Sequence, residues 1–232
     1  MIGFFSTPPP ALQAAPDPMT LAELEASVVS SGSTESLQTD AFTPPAGALC
    51  VVVSALRRDA ARTFAAPSAT HNMEGSWASW VTHYPIDGVN YLGLAIHARR
   101  WSASPGSGTV TQATASGNVY QMHTAVLSIG GAAASPLIRS GSANNNSGST
   151  LAVPYSNSDA PPADMQGLVA VIQVSDNTAA AISGYTTLHS AAIGSSLSFK
   201  VLAKNGDVAN TVSITGMASV FKAGVNAGVA HG

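Results

Sequence analysis

Five aromatic side chains crowd into one short stretch: Trp77, Trp80, Tyr84, Tyr91 and Trp101. An exposed indole beside tyrosines can stack on a sugar ring or on a partner side chain, and these five are the candidate ligand or partner surface. Trp77 and Trp80 differ in strand parity, so one should face a core and the other outwards. Other chemistry has less support. A nucleophilic hydrolase needs an activated Ser or Cys with a partnered His, and no G-x-S-x-G turn occurs. The histidines are His71, His83, His97, His123, His189 and His231, with no i,i+4 pair and no H-x-H. Asp59, Glu74, Asp87, Asp159, Asp164, Asp176 and Asp207 all sit in turn-like contexts, where aspartate is common for conformational reasons. Cys50 lies inside "LCVVV" and reads as a small buried apolar residue. The reading is therefore non-enzymatic: no catalytic residue, no cofactor and no metal site is assigned.

Composition narrows the partners. Of 232 residues, 45% are hydrophobic and only 9% charged, so Ser, Thr, Asn, Gly and Ala must cover the surface or partners must hide it. Such a chain is expected to live in an assembly, as a homo-oligomer. The net charge is −3, and the doublets Arg57–Arg58 and Arg99–Arg100 are too little for nucleic acid. No run reaches the roughly 18 apolar residues of a membrane helix, so no membrane insertion is expected.

The elements that would position these residues fall into two parts. Residues 1–40 read as an arm with five acids and no Lys or Arg. "STPPPALQAAPDP" should be extended, and "TLAELEASVV" should form one short helix, with Thr20 and Glu23 as a capping box and Leu21, Leu24 and Val28 on one face. "SSGSTESLQTD" is a linker. Phe4, Phe5, Pro8, Pro9, Pro10, Leu21 and Leu24 are the residues expected to carry assembly contacts with other subunits. Residues 41–232 read as a single β-sandwich domain. Its period is two, and turn signals at Asp87–Gly88, Ser104–Gly108 and Asn205–Gly206 separate the strands. Residues 130–166, rich in Gly, Ser, Asn and Pro, read as a long loop with at most one short strand near Ser149–Val153.

The body repeats itself. "PPAGALCVVVSAL" (44–56) is echoed by "PPADMQGLVAVIQV" (161–174), and "SWASWVTH" by "GYTTLHS". "YLGLAIHARRWS" is echoed by "SSLSFKVLAKNGD", and "TVTQATASG" by "TVSITG". Two similar strand sets suggest an all-β, two-sheet, jelly-roll-like sandwich with weak internal duplication.

At these phrases the chain resembles β-sandwich domains of tailed-bacteriophage virion proteins. The likeness covers roughly residues 42–223 and rests on "TPPAGALCVVVSA", "WASWVTH", "LGLAIHARRW", "GTVTQATA" and "SGYTTLHS". It implies a structural virion component assembled in the host cytoplasm, as a tail-tip fibre or baseplate-associated protein with a possible part in adhesion to a host surface glycan. A capsid decoration or head-spike protein is the alternative, and a carbohydrate-binding module a further one. The arm lies outside the likeness.

Overall fold

The computed structural model describes residues 18–30, 32–88, 90–115, 117–156, 159–193 and 196–232. They form strands and turns and no helix. Sixteen strands follow in chain order: β1 (Glu23–Ser30), β2 (Ser36–Gln38), β3 (Leu49–Arg58), β4 (Ser68–Ala69), β5 (Met73–His83), β6 (Ile86–Asp87), β7 (Asn90–Trp101), β8 (Val110–Ala113), β9 (Gln121–Ile129), β10 (Ala132–Asn145), β11 (Leu151–Pro154), β12 (Gln166–Gln173), β13 (Thr186–Ile193), β14 (Leu197–Asn205), β15 (Thr211–Ile214) and β16 (Lys222–His231).

Two large antiparallel sheets carry the architecture. The first runs β1-β9-β3-β7-β5, with β6 paired to β7, and the second β10-β16-β12-β14-β13. Exchanging β1 for β10, β9 for β16, β3 for β12, β7 for β14 and β5 for β13 turns one order into the other. The small sheets match as well: β2-β8-β4 belongs to the first half and β11-β15 to the second. The repeat heard in the sequence is thus a repeat of topology.

The two large sheets face each other. Alternate residues of β3 (Val51, Val53, Ala55) and β9 (Ala125, Leu127, Ile129) meet alternate residues of β12 (Leu168, Ala170, Ile172) and β16 (Ala223, Val225, Ala227) in one core. The opposite parity is buried too. Cys50 and Val52 pack against Val110 of β8, and Val169 and Val171 against Leu151, Val212 and Ile214 of β11 and β15. Each central strand lies between two apolar layers, which is why "LCVVV" and "LVAVI" read as unbroken apolar runs. Full burial of each such Val or Leu contributes about 1.5–3 kcal/mol.

Two expectations need correction. Residues 23–30 are a strand and not part of a helix: β1 pairs antiparallel with β9, Val28 opposite Thr124 and Ser30 opposite Met122. Leu21 and Val28 pack onto buried clusters, and Ala22 is buried, while Leu24 is exposed. The free edge of β9 supplies a ladder of backbone bonds that a lone helical turn cannot match. Secondly, 130–166 is not a long loop. Its first part is β10, 14 residues long and paired with β16, and the short strand expected near 149–153 is β11. Small residues hide the strand because the chain is crowded there; a Cβ at Gly141 would collide with the Pro154 carbonyl oxygen. The chain turns from one half to the other within Gly130–Gly131, and Gly131 takes φ 65°, open to glycine at little cost. Of the candidate arm residues, Phe4, Phe5, Pro8, Pro9 and Pro10 lie outside the described residues.

Long cationic side chains tie the halves together. Arg100 of β7 donates to Gly47 O (2.8 Å), and across to Ala132 O (3.0 Å) and Ala133 O (2.8 Å). At the other end Arg57 donates to Ser196 Oγ (2.6 Å), and Gln121 Nε2 to Ile193 O (2.7 Å). Gln166 Nε2 donates to Thr20 O (2.9 Å).

Candidate functional site: the groove between β5 and β10

The five aromatic residues do not share one surface. Trp101 is fully buried; its Nε1 donates to Ser128 Oγ (3.0 Å), and its ring meets His71 and Phe42 at centroid distances of 4.8 and 6.0 Å. Tyr84 is half-buried. Its hydroxyl accepts the Phe64 N–H (2.9 Å), and burial pushes its pKa up despite that bond. Tyr91 is half-buried on β7, opposite Arg58 and Ile86. Trp77 is half-buried and packs outward, against the cluster of Cys50, Val52 and Trp101. Trp80 faces the core between the large sheets with 7% of its surface exposed. The parity argument therefore places the two indoles on opposite faces, but the outward one is covered by the rest of its own half.

What remains of the candidate surface is a groove. Trp80, Leu49, Ala78 and Ala98 line a cavity of about 190 Å3, with Ala134 and Pro136 of β10 opposite and Glu74, Ser76, Arg99 and Arg100 at its polar margin. β5 and β10 are edge strands of opposite sheets, and both are irregular at this place. The register of β5 on β7 shifts between Glu74 and Ala78, and that of β10 on β16 between Ala132 and Leu137. Peptide groups of Gly75–Trp77 and Ala133–Pro136 thus leave the regular ladder beside the groove. Arg100 is committed to three carbonyls, whereas Arg99 reaches only Glu74 O, at 3.4 Å. The volume is below that of an ordinary small-molecule pocket, so the groove suits one ring or one side chain. Sequence reasoning named Trp80 and the 130–166 region separately. It missed their meeting with Glu74, Ser76 and Arg99, because the approach of β5 to β10 is set by the packing of the halves.

Burial governs the histidines elsewhere. His123 of β9 is buried, with its ring 4.7 Å from His189 of β13 and 4.8 Å from Phe199 of β14. Burial, and then the neighbouring His189, bring its pKa down to about 3. His189 and His83 are also lowered by burial. Among the described residues no group of three or more His, Cys, Asp or Glu could hold a metal ion. The Cys50 thiol is fully buried, and its pKa is pushed up by desolvation and then by Glu25, the opposite of what a nucleophile needs.

The cations are similarly committed. Lys222 donates to Ser147 O, Gly148 O and Val220 O (3.1, 2.9 and 2.8 Å), and Lys200 to Thr178 O and Ala180 O (2.5 and 2.7 Å). Arg139 donates to Asp159 O (2.9 Å) and Ala160 O (3.3 Å). Among the described residues the ion pairs are Arg58–Asp59 (3.2 Å) and Lys204–Asp207 (3.5 Å). In each arginine doublet one member, Arg57 or Arg100, bonds across to the other half.

Comparison of the chain with protein-family models, with curated proteins and with solved structures finds no match. The functional reading therefore rests on this geometry and on the likeness in sequence.

Proposed function

We propose that this chain is a non-enzymatic structural component of a tailed-phage virion, assembled in the host cytoplasm as a tail-tip fibre or baseplate-associated protein. Its two sheets belong to a jelly-roll-like sandwich, duplicated within one chain. The observation that carries the reading is the use made of charge. Arg57, Arg100, Arg139, Lys200 and Lys222 are spent on neutral oxygens that pin loops and halves together. That is the construction of a rigid block. Its described cations form no broad positive face for nucleic acid, and contacts to other virion proteins fall to the N-terminal segment ahead of β1, since β1 and β2 belong to the sheets of this chain. A capsid decoration or head-spike role fits the same construction.

The groove at Trp80 supports a second reading, a weak carbohydrate-binding module. A single stacked ring contributes on the order of 1 kcal/mol. Adhesion would then depend on many copies displayed together.

Antibody labelling of native particles viewed by negative-stain microscopy tests the proposal. Label at the tail tip supports the first assignment, and label over the head supports the decoration or spike role. Particles without label, with the protein free in the lysate, would contradict a virion role.

A further inference from the structure

Among the described residues each large sheet ends in two edge strands, which gives four long edges: β1 and β5 on the first sheet, β10 and β13 on the second. An open edge offers unpaired N–H and C=O groups to any other strand. Natural proteins guard such edges with charge, proline or bulges. Three of the four are guarded here. β1 carries Glu23 and Glu25 with a bulge between Leu24 and Ala26. β5 carries Glu74 and two register shifts. β10 carries Pro136, Arg139 and two register shifts.

β13 differs. Its sequence, TTLHSAAI, holds no Asp, Glu, Lys, Arg or Pro. One bulge lies between Thr187 and His189, and beyond it the ladder to β14 is regular, from His189 opposite Val201 to Ile193 opposite Leu197. Ser190 and Ala192 are exposed, and Ala191 is half-buried. β1 packs beside β13 from the facing sheet, and it presents Val29, 48% exposed, and Leu24, 39% exposed. The unguarded edge is therefore flanked by two of the large exposed apolar side chains.

We infer that β13 is an interface with a second copy of this chain, pairing antiparallel with its own counterpart. Antiparallel self-pairing is isologous: it uses the same edge twice, closes after one addition and leaves a dimer. The second sheet would run through both copies as ten antiparallel strands, with the β1 flanks beside the seam. The guarded edges β5 and β10 would stay at the outside, away from the seam. The inference does not depend on the virion reading, since an edge pairs by its backbone whatever the assembly does.

Sedimentation of the purified full chain across a wide range of concentration tests it, alongside Ser190→Lys/Ala192→Lys on β13 and Ser79→Lys on β5. Both substituted positions on β13 are exposed, so the fold should survive, and unchanged far-UV circular dichroism and melting verify that. The expected result is a dimer for the wild type and for Ser79→Lys, and a monomer, or at least a tenfold weaker dimer, for the β13 variant. Hydrogen exchange should show the alternate His189–Ile193 amides that point away from β14 slowed in the wild-type dimer and fast in that variant. A wild type that stays monomeric at every concentration would overturn the proposal. So would a trimer, or a dimer that the β13 lysines leave intact. If the β13 variant loses its fold, the exchange measurement on the wild type decides alone: fast exchange in the dimer of the His189–Ile193 amides that point away from β14 overturns the proposal.

Discussion

His123 shows how a single residue couples this fold to pH. It sits inside the core between the sheets, against His189 and Phe199, and no hydrogen-bond partner is found for either ring nitrogen. Its pKa in the fold is about 3, well below the ordinary histidine value of about 6.5. As pH falls through that interval the unfolded chain takes up a proton that the folded chain refuses, so stability falls with pH. Above the interval the contribution is fully present. His123→Phe keeps a ring against Phe199 and removes the proton. Denaturant midpoints measured from pH 7 down to pH 4 should decline less steeply in the variant than in the wild type; parallel declines would show that His123 is not the linked group. Trp80 belongs to the same scale. It is both groove lining and core, so Trp80→Ala should cost about 3 kcal/mol or more, as large-to-small core changes do. Arg99→Ala, at the exposed margin, should change stability by less than about 0.5 kcal/mol. Thermal melts of the two variants check this, and glycan-binding assays should use the Arg99 variant.

At the scale of elements, β1 is the informative case. Its partner in the first sheet is β9, roughly a hundred residues away in sequence, and Ala22 and Val28 cover buried clusters. Deleting residues 1–38 should therefore leave an unpaired β9 edge and a chain that melts lower or aggregates. Far-UV circular dichroism and light scattering of the truncated protein check this; a soluble body melting like the wild type would show that β1 is dispensable. The same strand shows where sequence reading stopped. Leu24 and Val28 are four apart, which suits one face of a helix and one face of a strand equally, and Thr20 with Glu23 tilted the choice to a helix. Only the distant partner decides. β10 was hidden for another reason: its Ala, Ser and Gly residues carry little β propensity, and they are small because β11 crosses close by. By contrast β3 and β12 were legible, since burial on both faces leaves an unbroken aliphatic run after each Pro-Pro stop. Gly141→Ala checks the crowding. It should cost about 1–3 kcal/mol, as overpacking does, where alanine for glycine in an ordinary strand stabilises.

At the scale of the whole molecule, the duplication has a mechanical meaning. Neither half owns the central core. Val51, Val53 and Leu127 come from one half, and Leu168, Ile172 and Val225 from the other. Arg57, Arg100 and Gln121 bridge the seam. The candidate groove likewise takes one wall from each half. The Pro-Pro echoes made the duplication legible, while the face-to-face packing was not, because nothing in one repeat specifies which of its faces the other covers. A block whose halves share one core should unfold as one unit. The chain allows a direct test, because all three tryptophans lie in the first half, at 77, 80 and 101, while strands from both halves give the far-UV circular dichroism. One denaturant titration followed by tryptophan fluorescence and by circular dichroism should give a single transition with coincident midpoints. Two separated transitions, with fluorescence reporting only one of them, would contradict the account and make the halves independent domains.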